Sequence, residues 1–185
     1  MEEPIAFSLL NDFIFCPASI FYHGMYDGVD KMVFTGKKQI AGTYAHKRID
    51  DAQWPENEVL CACSVYCEKY GLYGKIDKFH LKTGELVESK NKIKNIYDGY
   101  IFQLYAQYFA LCESGYTVKK MSLYSISDNK KYPIPLPEDD PAMLSKFENM
   151  LSAIRSFDLN GFKPSNINKC QNCIYAFACE WGEFA

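Results

Sequence analysis

The sequence lacks any long apolar run. No stretch of its 185 residues approaches the roughly eighteen consecutive apolar residues that a membrane-spanning helix needs. Its first residues, MEEPIAFSLLNDF, also lack the basic segment followed by an apolar segment that marks a secretory signal. We therefore expect a cytoplasmic protein with no membrane partner.

A surplus of positive charge is also absent. The formal net charge of −3 argues against a protein coated in basic surface. A local basic groove on an acidic protein can still hold phosphates, although any single lysine cluster is more typical of a solvated face. The clustered lysines are Lys37-Lys38, Lys90/Lys92/Lys94, Lys119-Lys120 and Lys130-Lys131.

No linker and no repeat interrupts the chain, so one domain over residues 1–185 is expected. The hydrophobic share of 48% and aromatic share of 16% predict a folded protein with a substantial core. Its order of elements predicts an α/β domain with a mixed sheet. The predicted elements are a helix over 8–22 interrupted by Pro17, a helix over 43–51, strands over 58–67, 72–81 and 85–91, a helix over 96–114 ending at Gly115, a strand over 119–127, a proline-rich loop over 132–137 and a helix over 141–157.

Apolar residues of the predicted helix over 96–114 recur at three–four spacing, which indicates the face that it turns to the core. This predicted apolar arc comprises Tyr97, Tyr100, Ile101, Leu104, Tyr108, Leu111 and Cys112.

Eight cysteines in a cytoplasmic chain point away from disulfides and toward metal or cluster binding. Four of them are more typical of a hydrophobic core. Cys61, Cys63 and Cys67 alternate with valines at period two, which predicts one face of a strand and a role as small core residues. Cys112 lies on the apolar side of a predicted helix and is expected to do the same.

The other four cysteines have metal-ligand spacing. Cys170-Gln-Asn-Cys173 is followed after five residues by Cys179, and Cys16-Pro17 stands far upstream. These thiols can form one site if the two ends of the chain meet in the fold. Thiolates select zinc or an iron–sulfur cluster, and spacing alone does not separate the two.

Acidic residues on two neighbouring predicted strands suggest a second site. Glu88-Ser89-Lys90 alone is a pattern that any polar strand can produce, but Gly74-Lys75-Ile76-Asp77 lies on the strand before it. Glu88 and Lys90 point to the same strand face, and Asp77 can sit beside Glu88. Paired carboxylates favour Mg²⁺ or Mn²⁺. His46, on a predicted helix, is a candidate nitrogen ligand that would favour Mn²⁺.

The order of these motifs resembles a known nuclease core. His46, then Asp77, then Glu88-Ser89-Lys90, then Gln103 is similar to the RecB-like branch of PD-(D/E)xK nucleases. The Cys-Pro near the start and the C-x-x-C-x5-C near the end resemble the subset with a four-cysteine iron–sulfur cluster, and within it the CRISPR-associated Cas-four family.

One position departs from the signature of the RecB-like branch, which is Gln-x-x-x-Tyr. Here Gln103 is followed four residues later by Gln107, with Tyr108 next. The second position of the signature is therefore a glutamine in this chain, and the tyrosine stands one residue later.

The resemblance implies a fold and two cofactors. A RecB-like nuclease core at about 40–130 would contain a central mixed sheet flanked by helices. Residues 1–25 and 160–185 would together form the region of a [4Fe–4S] cluster, and a catalytic Mn²⁺ or Mg²⁺ would lie in the core. The cluster would be held by Cys16, Cys170, Cys173 and Cys179.

It also implies roles for individual residues. His46, Asp77, Glu88 and the main-chain carbonyl of Ser89 would ligate the divalent ion. Lys90 would orient or activate the attacking water and stabilise negative charge, and Gln103 would position the strand or the Lys90 side chain. Candidates for contacting DNA are Lys92, Lys94, Gln107 and Tyr108.

The function implied by the resemblance is a metal-dependent single-stranded DNA exonuclease. It would trim overhangs of prespacer DNA and help select motif-adjacent ends, in partnership with the CRISPR integrase complex and its companion subunit. One alternative is a non-catalytic nucleic-acid-binding module with a zinc or iron–sulfur knuckle, against which the paired carboxylates argue. Another is a RecB-like DNA repair nuclease outside CRISPR.

Overall fold

The computed structural model describes residues 3–26 and 58–182. The predicted helix over 43–51, with His46, lies outside these ranges, as does Lys37-Lys38. No helix within the described ranges has the length and apolar content needed to cross a bilayer.

The strands form two mixed sheets, which confirms the predicted α/β class. Each sheet has one parallel pair of neighbouring strands. These are β1 (Ile5–Ala6) with β4 (Leu72–Lys75) and β6 (Glu85–Lys90) with β7 (Lys120–Ser125), and the other pairs are antiparallel. A three-stranded sheet has the order β1 (Ile5–Ala6), β4 (Leu72–Lys75), β3 (Ser64–Cys67). A five-stranded sheet has the order β2 (Val59–Cys61), β5 (Lys78–His80), β6 (Glu85–Lys90), β7 (Lys120–Ser125), β8 (Lys130–Ile134).

The predicted hairpin over 58–81 bends and contributes to both sheets. Ala62 has φ of 53°, a left-handed conformation that breaks the extended backbone between β2 and β3. The prediction of one continuous strand face is therefore wrong: Cys67 is fully buried, whereas Cys61 and Cys63 are only partly covered. The opposite strand breaks after Lys75, so that Asp77 lies at the point where the chain passes from one sheet to the other.

Four α-helices complete the described part of the chain: α1 (Phe7–Phe15), α2 (Ala18–Tyr26), α3 (Asp98–Glu113) and α4 (Pro141–Arg155). Pro17 separates α1 from α2, and two short 3₁₀ helices, Ile167–Asn172 and Ala176–Ala178, carry the C-terminal cysteines. Gly115, with φ of 87°, follows α3, and the N–H of Tyr116 donates to the carbonyl of Leu111 at 3.0 Å. This is the predicted glycine stop.

The predicted proline-rich loop is in part a strand. Pro133 lies in β8 opposite Ser122 of β7. Because β8 is at the edge of the five-stranded sheet, the N–H that proline lacks is not needed by a further strand.

The core lies between α3 and the strands. α3 packs against α1 and against β3, β4 and β6. Leu104, Tyr105 and Leu111 of α3 are fully buried, with Phe147 of α4 and Leu10 of α1. The predicted apolar arc of α3 is only partly buried, because its first member, Tyr97, is 54% exposed. This packing fixes which face of α3 points at β6.

A glycine in β4 sets how closely α1 approaches the smaller sheet. A Cβ at Gly74 would lie 2.4 Å from Cδ2 and 2.6 Å from Cγ of Phe7, the first residue of α1. The glycine of the Gly-Lys-Ile-Asp motif therefore leaves room for the Phe7 ring.

We expect Gly74→Ala to lower the free energy of unfolding by about 1–3 kcal/mol, because the added methyl overpacks this contact. Urea unfolding would measure the change. The control is Gly24→Ala in α2, where a Cβ meets nothing within 4 Å and alanine favours the helix. Equal effects of the two substitutions would contradict the assigned role of Gly74.

Candidate functional site

Strand register brings two carboxylates together. Lys78 of β5 lies opposite Val87 of β6, so continuing the antiparallel register by one residue puts Asp77 opposite Glu88. The main-chain N–H of Ser89 donates to Oδ2 of Asp77 at 2.8 Å, which orients that carboxylate. This is the side-by-side arrangement that the sequence predicts.

Glu88 is the buried centre of the site. Its side chain accepts from Nζ of Lys90 at Oε1, 2.7 Å away, and from Nε2 of Gln107 at Oε2, 2.6 Å away. Only 4% of the residue is exposed. Both carboxylate oxygens are therefore paired with donors from the protein.

Opposing effects act on the pKa values of this pair. Burial raises the pKa of Glu88, and the neighbouring Asp77 carboxylate raises it further, while Lys90 and Gln107 favour the ionised form. Burial lowers the pKa of Lys90, but the charge and hydrogen bond of Glu88, together with Asp77 and Tyr100, raise it overall. The short Nζ–Oε1 contact is that of a charge-assisted pair, and we take a protonated Lys90 and an ionised Glu88 as the resting state.

Lys90 is held on three sides. Besides Glu88, its Nζ donates to Oε1 of Gln103, and it lies 5.0 Å from the ring centroid of Tyr100. Nε2 of Gln103 in turn donates to the main-chain carbonyl of Phe7 at 3.4 Å. Gln103 thus connects Lys90 to the start of α1; the positioning role that the resemblance implies for it stays a prediction.

Gln107 lies inside the site and not on the DNA-facing surface that the sequence predicts. Gln107 is 2% exposed, and its Nε2 donates to Oε2 of Glu88. Within the described residues, its Oε1 is buried without a hydrogen-bond partner. The sequence does contain a signal for this position: Gln107 follows Gln103 by four residues, so the two side chains lie on the same face of the helix.

Tyr108 points away from this group. Its hydroxyl donates to the carboxylate of Glu138, at 3.0 and 3.2 Å from the two oxygens. Lys92 and Lys94 are exposed beyond the end of β6, on either side of the buried Ile93, and remain candidates for contacting a phosphate backbone. His46 lies outside the described residues.

The four spaced cysteines surround one cavity. Cys16, Cys170, Cys173 and Cys179 all line a cavity of about 290 Å³, so the two chain ends meet as the sequence predicts. Nζ of Lys169 donates to the carbonyl of Phe15 at 3.0 Å, which joins the C-terminal segment to the end of α1.

Burial and neighbouring thiols together raise the pKa values of Cys170 and Cys173. Burial raises the pKa of Cys173, and the thiols of Cys16, Cys179 and Cys170 raise it further. Burial likewise raises the pKa of Cys170, with Cys16 and Cys179 contributing. Four thiols around one cavity are a donor set suited to zinc or an iron–sulfur cluster.

The four thiols are spread around the cavity and do not converge on one position. Within residues 3–26 and 58–182, no three His, Cys, Asp or Glu side chains already stand where one ion could be held between them. Cys67 lies outside this group: burial raises its pKa to about 11, and its Sγ lies 3.4 Å from Oε1 of Glu113. Cys67 is the small core residue that the sequence predicts.

Comparison with known proteins identifies the fold only. No family model matches the chain, and no curated protein matches it. A solved structure described as "Crystal structure of SSO0001" is similar, with a TM-score of 0.60 and 14% identity over 98% of this chain and 88% of that chain. At this identity the likeness shows a shared α/β fold.

We expect Gln107→Leu to lower the free energy of unfolding by about 1–3 kcal/mol, because it removes a donor from a buried carboxylate. Urea unfolding at neutral pH without added divalent ions would measure it. The control is the adjacent Tyr108→Phe, which removes only a surface hydrogen bond and should change stability by less than about 0.5 kcal/mol. If both changes cost the same, Gln107 does not hold Glu88.

Proposed function

We propose that the chain is a divalent-metal-dependent nuclease that hydrolyses phosphodiester bonds in DNA. The observation that carries the proposal is the convergence of Asp77, Glu88 and Lys90 where β5 meets β6. A module that only binds nucleic acid has no use for two carboxylates beside a phosphate site, because they repel phosphate.

The donors present suit a hard cation. Asp77, Glu88 and the main-chain carbonyl of Ser89 would hold Mg²⁺ or Mn²⁺, which prefer oxygen ligands. His46 would be a further ligand. When bound, such an ion lowers the pKa of a coordinated water and offsets charge on the reacting phosphate.

The chain's own residues prepare this site. Lys90 is protonated and its side chain is only 18% exposed, so it can donate to a phosphate oxygen or to the attacking water in a setting where charge interactions are strong. Gln103 holds Lys90, and Gln107 holds Glu88. Lys90 and Gln107 each donate to one oxygen of Glu88, and the second lone pair on each oxygen leaves the carboxylate able to bind a cation.

Resemblance to the Cas-four family supports a narrower proposal. The substrate would be single-stranded or overhang-bearing prespacer DNA, cut by an exonuclease before integration. The protein would act in the cytoplasm, beside the CRISPR integrase complex and its companion subunit. A RecB-like repair nuclease would use the same residues, and the genes that neighbour the coding sequence would distinguish the two settings.

The four cavity thiols would hold a [4Fe–4S] cluster with a structural role. They come from both ends of the chain, and Cys16 directly follows α1, whose first residue contacts Gln103. A cluster there would pin the chain ends together and support the helix that reaches the nuclease site.

We expect Glu88→Ala and Lys90→Ala each to slow cleavage of single-stranded DNA in Mn²⁺ by about 10²–10³-fold, a size typical for losing an electrostatic stabiliser. Calorimetry should show weaker Mn²⁺ binding for Glu88→Ala and Asp77→Ala only, because Lys90 is not a ligand. The control, Lys82→Ala, removes an exposed lysine paired with Glu58 and should cleave normally. Normal cleavage by both the Glu88 and Lys90 variants would refute the nuclease proposal.

We expect protein purified without oxygen to be brown and to contain about four irons per chain. Cys173→Ala should lose iron and solubility, because it breaks a ligand set, whereas Cys61→Ala should retain both. One zinc and no iron in the anaerobic protein would remove the iron–sulfur assignment and leave the nuclease site untouched.

A further inference from the structure

An exposed aromatic side chain is connected to Lys90 through one intervening tyrosine. Tyr97, the residue before α3, is 54% exposed. Its ring packs edge to face with the ring of Tyr100, with centroids 5.6 Å apart and planes at 86°. The Tyr100 ring is the one that lies 5.0 Å from Nζ of Lys90. Two tyrosines therefore connect the surface to Lys90.

Tyr97 is more exposed than its predicted position implies. Its three–four spacing places it on the arc predicted to face the core, yet the residue immediately precedes α3 and is 54% exposed. Ile96 beside it is 41% exposed. Leaving two adjacent large apolar side chains in water forgoes burial that would stabilise the fold.

The charge around Tyr97 is compatible with a phosphate chain. Lys92 and Lys94 are exposed in the segment that links β6 to α3. Asp98 is the nearest acidic residue in sequence, and Nζ of Lys146 lies 3.3 Å from its Oδ2, which offsets that negative charge. Aromatic faces beside lysines are the composition of grooves that bind single-stranded nucleic acid.

We propose that Tyr97, backed by Tyr100, stacks against an unpaired nucleobase of the strand whose phosphate reaches Lys90. The inference rests on the proposed nuclease function and deepens it, because it gives the site a physical reason to prefer single strands. In a duplex each base is already stacked and paired, so a surface ring can reach a base face only after costly unstacking.

Binding of a fluorescently labelled oligothymidylate, measured by anisotropy without added divalent ions, tests the proposal. Tyr97→Ala should weaken binding about 5- to 150-fold, which corresponds to the about 1–3 kcal/mol that one stacked base contributes. Tyr97→Trp should bind at least as well as the wild type. The matched control is Tyr66→Ala, a 52% exposed tyrosine of the three-stranded sheet, which should leave affinity unchanged.

Two further measurements separate base stacking from a plain apolar contact and from binding through the phosphates. Tyr97→Leu keeps an apolar contact with Tyr100 but lacks an aromatic face, so it should bind as weakly as Tyr97→Ala. On an abasic strand of equal length, the wild type and Tyr97→Ala should bind alike. A loss of equal size on both strands, or wild-type affinity in Tyr97→Leu, would overturn stacking.

The outcomes also separate this inference from the proposed function. If the wild type cleaves DNA and Tyr97→Ala binds oligothymidylate as tightly as the wild type, only the stacking inference fails. If the wild type neither cleaves nor binds DNA, both fail.

Discussion

The ion pair between the buried Glu88 and the partly exposed Lys90 is the interaction on which the rest of the site depends. Removing two charges from water is costly, and a buried pair is often no more stabilising than apolar residues of the same volume. The cost is tolerable here because Gln107 and Gln103 supply the remaining hydrogen bonds. Stability alone therefore gives little reason for this pair, whereas the proposed phosphate chemistry beside a cation would give one.

The pair requires both α3 and α1 to be in place. α3 presents its two glutamines toward β6, and α1 contacts Gln103 through the carbonyl of Phe7. The Phe7 ring can approach only because residue 74 has no side chain. A displacement of the Phe7 carbonyl is therefore expected to shift Lys90, because Gln103 is hydrogen-bonded to both.

Helix α1 joins the proposed nuclease site to the thiol cavity. Cys16 follows the last residue of α1. His23 of α2 contacts both ends of the chain: its Nδ1 lies 3.6 Å from Oδ2 of Asp12 and 3.3 Å from the hydroxyl of Tyr175. The C-terminal cysteine segment is thus attached to the N-terminal helices by polar contacts. Order in the cavity and order in the proposed nuclease site are physically connected through α1.

Local signals in the sequence determined much of this protein. The spacing of Cys170, Cys173 and Cys179, the period-two placement of Glu88 and Lys90, and the glycine after α3 act over a few residues, so they could be predicted without the fold. Tertiary structure decided the rest. The break at Ala62 replaces one strand by two, and periodicity cannot detect a left-handed residue that is not glycine. Whether Gln107 faces Glu88 and Tyr97 faces water depends on how α3 is rotated, which packing against α1 and the strands fixes.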